Sequence, residues 1–274
     1  MTSEFVETNG VRLWFEDLGP ADAPPVVLVS GGGASVVWWP PGLVSGLVDA
    51  GFRVVQFDNR DVGRSTHIDW ASAPYSIDDM AADTVGLLDA RGIPAAHLVG
   101  ISVGGTVVQA TALAFPDRVR SLTLLSTSPG PDPRLSSSDP AVFADLGGPV
   151  ETAEDAAEVD VVFSRAVAGS RFPFDERYYR EVALADQARG TNRNPGMPSA
   201  SSRVDALDRI QVPTLIVHGT EDPIYPFDHA ETLAHGIPHT TLVTWDGVGH
   251  ELPPPLVPDL VSTITTHVRA ATGE

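Results

Sequence analysis

The chain has 274 residues, 42% of them apolar, which is enough to bury the core of one large domain and to carry an insertion. Its formal net charge of −19 repels phosphate backbones and anionic lipid head groups, so we expect neither nucleic acid nor a membrane as a partner. Cysteine is absent and all 17 basic residues are arginine. This excludes disulfides, thiolate metal sites and cysteine nucleophiles, together with the lysine chemistry of Schiff bases and P-loops.

No segment has the pattern of a membrane helix or of a secretion signal. The longest apolar runs, such as Val26–Val29 and Val119–Leu125, are far shorter than the roughly 20 residues that span a bilayer. The first nine residues carry acidic side chains instead of a basic, apolar leader. We therefore expect a soluble, cytoplasmic protein, a monomer or a homodimer, whose partner is a small-molecule substrate.

The first predicted element is a β-hairpin. Its strands, Phe5–Thr8 and Val11–Glu16, flank Asn9-Gly10, the dipeptide that best accepts the positive φ angles of a type I′ turn. The run Val26–Val29 follows and is apolar throughout, which is typical of a strand buried on both faces. It ends in the glycine-rich stretch 30–33.

Strand and helix patterns then alternate. Repeated strand, helix, strand units predict a mostly parallel sheet with helices on both faces. The strands are expected at Arg53–Phe57, His97–Gly100 and Val119–Leu125, and the helices at Ile77–Ala90 and Val103–Phe115.

This alternation stops at Ser128. A proline-rich linker leads into an acidic stretch that has helical periodicity but no strong strand as far as about Asp205, which predicts an inserted helical cap. Strand and helix patterns resume after it. The predicted division is a core over 1–128, a cap over 129–205 and the rest of the core over 206–274. The last elements are strands at Thr214–His218 and Thr240–Trp245 and helices at Phe227–His235 and Asp259–Ala271.

A candidate nucleophile, Ser102, stands at the centre of the Gly-x-Ser-x-Gly motif at 100–104. The motif alone is weak, but here it joins a buried strand to a helix that starts near Val103, the arrangement that presents a nucleophilic serine on a strained turn. Side chains at Gly100 and Gly104 would collide with neighbouring backbone, and Gly105 leaves space for helix packing. The alternative is a serine that only caps the helix.

A serine nucleophile needs a base, and His250 is the best candidate for it. Among the eight histidines, it is the one that follows the strand Thr240–Trp245 through a glycine-containing loop. The histidines on predicted strands and helices, such as His97 and His229, are interpreted as packing or surface residues. An exposed loop histidine is the alternative reading of His250.

The acid that orients this histidine is expected to be Asp222, directly after the strand Thr214–His218. Pro223 would help to fix the turn that presents it. Three other carboxylates compete for the role, namely Glu221, Asp228 and Asp132.

Acyl transfer also needs donors for the oxyanion of the tetrahedral intermediate. The amide of Val103 follows the nucleophile and is one candidate. The second should come from the loop after Val26–Val29, with Gly32 favoured and Gly33 its competitor. A nucleotide-binding loop is a poorer interpretation, because this loop lacks the Gly-x-Gly-x-x-Gly pattern and the chain has no lysine.

Together, five segments resemble the α/β-hydrolase superfamily over nearly the whole chain: Ser-Gly-Gly-Gly at 30–33, Asp-Asn-Arg-Asp-Val-Gly-Arg-Ser at 58–65, Gly-Ile-Ser-Val-Gly-Gly at 100–105, His-Gly-Thr-Glu-Asp-Pro at 218–223 and Gly-His at 249–250. The resemblance implies the α/β-hydrolase fold, with a mostly parallel eight-stranded sheet, flanking helices and an inserted cap, and its chain order of serine, aspartate, histidine. Within the superfamily the chain resembles the aclacinomycin methylesterase branch, whose members hydrolyse a carbomethoxy ester on an aromatic polyketide. Many relatives have His-Gly where this chain has Ser30-Gly31, and the methylesterase branch also lacks that histidine.

The substrate pocket is expected to combine the oxyanion loop with aromatic residues of the cap. An aromatic lining would suit a flat polycyclic substrate, although each of these residues could instead be core packing. The candidates are Gly33, Trp38, Trp39, Phe172, Phe174, Tyr178 and Tyr179. Asp58 and Arg60, at the carboxyl edge of the sheet, are expected to tie their loop to its neighbours rather than to touch substrate.

These observations predict a serine-dependent carboxylic-ester hydrolase of the EC 3.1.1 type that needs no cofactor and no metal. Carbon-carbon bond hydrolases, thioesterases, lactonases and perhydrolases use the same triad and stay open as alternatives. A further alternative is a non-catalytic binding protein on the same fold, since fold does not dictate function.

Overall fold

The computed structural model describes residues 2–144, 146, 150–190 and 196–273. Within this part of the chain eight strands form a single sheet. They are β1 (Thr2–Thr8), β2 (Val11–Leu18), β3 (Pro25–Val29), β4 (Arg53–Phe57), β5 (Ala96–Ile101), β6 (Val119–Leu125), β7 (Thr214–Gly219) and β8 (Thr240–Trp245).

The strand order is β1-β2-β4-β3-β5-β6-β7-β8. The first two strands form an antiparallel hairpin in which Thr8 faces Val11, and the turn between them has positive φ at both Asn9 (45°) and Gly10 (76°). β2 is antiparallel to β4, and the six strands β3 to β8 are parallel to one another. The predicted mostly parallel eight-stranded sheet, opened by a hairpin, is therefore confirmed.

Seven α-helices are found in the described residues: α1 (Leu43–Asp49), α2 (Ile77–Ala90), α3 (Val103–Ala114), α4 (Ala153–Val167), α5 (Glu176–Gln187), α6 (Asp228–Gly236) and α7 (Val257–Thr272). α7 starts two residues earlier than its sequence pattern predicts, because Pro258 is tolerated in the first helical turn, where the backbone N–H has no partner. The short helix α1 was not predicted.

The core lies in two layers, one on each face of the sheet. Val27 and Val29 of β3 pack with α2, α3 and α6, whereas Val26 and Leu28 of the same strand pack with α1 and α7. Successive side chains of a strand point to opposite faces, so a continuous apolar run is needed to fill both layers. This arrangement fixes the carboxyl ends of the parallel strands along one edge of the sheet.

In the chain, α4 and α5 follow β6 and precede β7, and the two helices pack against each other. Each begins at a side-chain cap: Thr152 and Asp155 form a reciprocal capping box, and Asp175 accepts from the backbone N–H of Tyr178. Both helices fall in the segment for which a cap was predicted. Parts of that segment, including 191–195, lie outside the described residues, and the division at 129 and 205 stays a prediction.

No helix in the described part of the chain combines the length and the apolar character that crossing a membrane requires.

Candidate active site

Ser102 stands on a sharp turn between β5 and α3, with φ 54° and ψ −122°, a conformation that side chains rarely adopt. Two glycines make the turn possible. A Cβ at Gly100 would come within 2.3 Å of the carbonyl oxygen of Gly104, and a Cβ at Gly104 within 2.1 Å of that of Val29. The Ser102 N–H donates to Leu125 O over 3.0 Å, and its carbonyl accepts from Thr127 Oγ1 over 2.6 Å, which holds the strained residue in place.

Three side chains distant in sequence meet at this turn. The hydroxyl of Ser102 lies 3.0 Å from Nε2 of His250, and Nδ1 of His250 lies 2.7 Å from Oδ2 of Asp222. If Nδ1 carries the ring proton, His250 donates to the carboxylate and accepts from the serine. The residues chosen from the sequence as nucleophile, base and acid thus form one hydrogen-bonded chain.

Asp222 is almost fully buried, with 4% of its surface exposed, yet it stays ionised. Burial acts to raise its pKa, but the charge and hydrogen bond of His250, the charge of His218 and the N–H of Tyr225 outweigh burial and hold the pKa below its usual value. Its second oxygen, Oδ1, accepts from the N–H groups of Ile224 and Tyr225, each over 2.9 Å. The carboxylate is therefore locked in one orientation towards the imidazole.

The competing carboxylates have other partners. Glu221 accepts from the N–H and hydroxyl of Ser170, Asp228 accepts from the N–H of Ser136, and Asp132 binds Arg134 and Ser202. Asp222 is the carboxylate that contacts His250.

The glycine-rich loop after β3 lies directly against the serine turn. A Cβ at Gly31 would lie 3.4 Å from Cβ of Ser102, and a Cβ at Gly32 would lie 3.1 Å from Cγ2 of Val103. Gly33 has φ 70°, which favours glycine. The two predicted amide donors, Gly32 and Val103, are thus neighbours beside the serine.

Two buried carboxylates anchor the continuation of this loop. Asp58, after β4, accepts from the N–H of Val36 over 3.0 Å and from Arg189 over 2.6 Å. Asp186 of α5 accepts from both the N–H and the hydroxyl of Ser35. As predicted, Asp58 ties its loop to neighbouring segments, and the inserted helices provide part of this support.

A cavity of about 500 Å³ opens above Ser102 and His250. Of the predicted pocket residues, Gly33, Trp38, Trp39, Tyr178 and Tyr179 line it. Phe172 does not: it packs against the core layer of α1 and α7, with Arg171 over its ring. Phe174 also lies outside the lining, and it supports the cavity wall by stacking on Tyr179 with 4.8 Å between ring centroids.

Sequence reasoning missed several polar residues that line the cavity, among them Asp160, Asp186, Tyr225 and Glu251. Glu251 accepts from the hydroxyl of Tyr179 over 2.9 Å and from the N–H of Gly169 over 3.1 Å. The positions of Tyr225 and Glu251, three residues after Asp222 and one after His250, were the available signal. The helical pattern of α4 and α5 gave none for Asp160 and Asp186, because it does not show which polar side chains turn inward.

Comparison with known proteins agrees with this architecture. Residues 24–253 match the family model described as the alpha/beta hydrolase fold. Among solved structures, an esterase from Rhodococcus sp. ECU1013 superposes with a TM-score of 0.78 at 20% identity, covering 99% of this chain and 100% of that one. A meta-cleavage product hydrolase from Pseudomonas fluorescens IP01 gives 0.77 at 21% identity, covering 98% of both chains. At this level of identity these likenesses show the fold alone.

Curated proteins found by sequence comparison have higher identity to this chain. Rhodomycin D methylesterase DnrP from Streptomyces peucetius is 36% identical, and the alignment covers 99% of this chain and 100% of that protein. A putative carbamate hydrolase from Variovorax paradoxus is 33% identical over 87% of this chain and 89% of that protein. The chain therefore belongs to the α/β-hydrolase family, in which it resembles the aclacinomycin methylesterase branch.

Proposed function

We propose that this carboxylic-ester hydrolase works through an acyl-enzyme on Ser102, with His250 as general base and acid and Asp222 as its orienting carboxylate. The observation that carries the proposal is the unbroken hydrogen-bonded chain, 3.0 Å from Ser102 to His250 and 2.7 Å from His250 to Asp222. It ends at a strained serine on the wall of a cavity. Because a serine hydroxyl is a weak nucleophile at neutral pH, this coupling is what the chemistry requires.

In the acylation half, Nε2 of His250 takes the Ser102 proton as Oγ bonds to the ester carbonyl carbon. The carbonyl oxygen becomes an oxyanion, which the amides of Gly32 and Val103 stabilise by hydrogen bonds. Asp222 stabilises the imidazolium without taking its proton. The tetrahedral intermediate collapses when His250 protonates the alkoxy oxygen, and the alcohol leaves.

In the deacylation half, water takes the place of the alcohol. His250 removes a proton from the water as its oxygen attacks the acyl carbon, and the same amides hold the second oxyanion. Return of that proton to Ser102 Oγ breaks the acyl-enzyme and releases the acid. The imidazole thus alternates between base and acid at a fixed position.

The proposed substrate is a methyl ester on a flat aromatic, polyketide-like small molecule. Trp38, Trp39, Tyr178 and Tyr179 line the cavity, and side chains of this kind suit a polycyclic ring system. The relatives aligned over their full length are named as rhodomycin D methylesterases, which supports the same class.

Replacing Ser102 by alanine tests the proposal. We expect Ser102→Ala to lose ester hydrolysis by a factor of about 10³ or more, because nucleophile and base act as a unit. An organophosphonate should label the wild-type chain once, at Ser102, as read by peptide mass spectrometry. Turnover of p-nitrophenyl acetate and of the methyl ester of an aromatic acid measures the activity.

Ser121→Ala is the matched control. Ser121 is also a buried serine bonded to a histidine, His97, over 2.8 Å, but it lies on β6 away from the cavity. This variant should keep wild-type turnover and labelling. Full activity in Ser102→Ala would contradict the proposal, and binding of an ester without turnover by the wild type would favour a binding protein.

A further inference from the structure

Tyr225 contacts all three residues of the proposed triad. Its backbone N–H donates to Oδ1 of Asp222 over 2.9 Å. Its ring packs edge-on against the imidazole of His250, with 5.5 Å between centroids and 73° between planes. Its hydroxyl lies within hydrogen-bonding reach of the Ser102 side chain, and the residue lines the cavity beside both.

The surroundings of Tyr225 hold it in one position. Prolines 223 and 226 restrict the backbone on either side, and the carbonyl of Tyr225 accepts from Nε2 of His218 over 2.8 Å. The ring also contacts His229, at 5.4 Å between centroids. His229 is itself fixed, since its two ring nitrogens lie 2.9 Å from the hydroxyl of Ser128 and from the carbonyl of Ser136.

The hydroxyl of Tyr225 is a donor at neutral pH. Burial raises the pKa of this phenol, the neighbouring Ser102 hydroxyl offsets part of the rise, and the charge of Asp222 adds to it. A phenol that keeps its proton can donate to an oxygen that gains negative charge.

Tyr225 and the amide donors reach Ser102 from different elements of the fold. Gly32 and Val103 belong to the β3 loop and the start of α3, whereas Tyr225 belongs to the loop after β7 and stands beside His250. The alkoxy oxygen of an ester must come close to His250 Nε2 to receive its proton. Because the ring of Tyr225 packs against His250, an oxygen that approaches Nε2 also comes near Tyr225.

We propose that Tyr225 is a fourth catalytic residue, whose hydroxyl donates a hydrogen bond to the alkoxy oxygen as it leaves, a role that rests on the proposed acyl-enzyme mechanism. As the carbon to alkoxy-oxygen bond breaks, the electron pair goes to that oxygen and the proton comes from His250. Tyr225 keeps its own proton and stabilises the charge that develops before proton transfer is complete. In deacylation it does the same for the oxygen of the attacking water, in reverse.

Leaving groups of different acidity separate this role from a structural one. The variant Tyr225→Phe keeps the ring against His250 and removes only the hydroxyl. Methanol is a poor leaving group and p-nitrophenol a good one, so we expect kcat/KM of the variant to fall about 30-fold on methyl benzoate and no more than about threefold on p-nitrophenyl benzoate. Phenyl benzoate should lie between them. All three esters share one acyl group, and kcat/KM reports the acylation half that differs.

Tyr75→Phe is the control, since Tyr75 is a buried tyrosine that is not part of the cavity lining and makes none of the triad contacts described above. It should leave all three rates unchanged. Titration with an organophosphonate counts competent sites in each sample, so that partial misfolding does not lower the rates per site. An equal loss of kcat/KM on all three esters, or no loss on methyl benzoate, would overturn the proposal for Tyr225 and leave the proposed triad intact. Full activity in Ser102→Ala would instead overturn the acyl-enzyme mechanism on which the proposal rests.

Discussion

At the scale of single residues, the candidate site depends on how the loop after β7 presents its carboxylate. Asp222 has each oxygen committed, one to His250 and the other to the amides of Ile224 and Tyr225. In the proposed mechanism, its negative charge is therefore available to the imidazolium that forms on His250. An amide at this position could keep most of the shape but would carry no charge and could impose the wrong tautomer on the histidine.

Asp222→Asn is expected to lower kcat by about 10⁴-fold with little change in fold, as loss of this carboxylate does in serine hydrolases of other folds. Asp132→Asn, at the other position considered for the acid, should stay within about twofold of the wild type, because Asp132 contacts Arg134 and Ser202 instead. Steady-state kinetics on p-nitrophenyl acetate measure both. The reverse order of effects would assign the acid to Asp132.

Sequence reasoning went furthest for residues whose spacing has a mechanical cause. Gly100, Ser102 and Gly104 could be identified because only glycine fits beside the strained serine, and Asp222 and His250 because each follows a strand end. Tyr225 could not, because its contact with Ser102 depends on the path of the backbone between Pro223 and Pro226. The position of Phe172 could not be predicted for a similar reason, since an aromatic residue in an inserted segment can turn towards the core as well as the pocket.

At the scale of elements, the end of α5 supports the loop that carries Gly32, one of the two proposed oxyanion donors. The end of α5 supplies Asp186, which binds Ser35, and just beyond it lies Arg189, which binds Asp58. Asp58 in turn holds the N–H of Val36. The sequence pattern predicted helical structure in this segment but neither the bounds of α5 nor this connection, because ion pairs between distant segments leave no periodic signal.

We expect Arg189→Met to destabilise the protein by about 3 kcal/mol and to lower kcat. The variant leaves the carboxylate of Asp58, which is fully buried, without its cationic partner, and the cost of an unpaired buried charge is large. Arg177→Met, in the preceding helix α5, is the control. It removes an exposed pair with Glu181 and should leave the free energy of unfolding close to that of the wild type. Urea unfolding curves give both values, and equal costs would show that the Asp58 pair does not anchor the loop.

At the scale of the whole molecule, acidic groups outnumber basic ones by 19, and a pair of carboxyl groups faces the cavity. Asp160 of α4 and Asp186 of α5 both line it, and none of the ion pairs seen among the described residues involves Asp160. Burial, and after it the charge of Asp186, raises the pKa of Asp160 to about 7. The folded state therefore holds a proton on Asp160 at pH values where the unfolded chain has lost it.

This difference predicts how stability depends on pH. Below about pH 4 the Asp160 carboxyl is protonated in both states, so its titration does not change the free energy of unfolding. Between pH 4 and about 7 the unfolded chain ionises while the folded protein keeps its proton, so stability falls as pH rises, and above about 7 the loss is complete. Asp160→Asn removes this titration. Its melting temperature should match the wild type near pH 4 and exceed it at pH 8, by a free energy on the order of 2 kcal/mol.

Thermal unfolding at pH 4, 6 and 8 measures the difference, in which the titration of acidic groups remote from Asp160 cancels because both proteins share them. Glu154→Gln, at an exposed carboxylate in the first turn of the same helix, should show no gain that grows with pH. A constant difference between Asp160→Asn and the wild type at all three pH values would show that Asp160 titrates alike in the folded and unfolded states. A higher melting temperature of Asp160→Asn only at high pH would show instead that the carboxyl group of Asp160 destabilises the folded protein there. A residue kept only for stability would not have this effect.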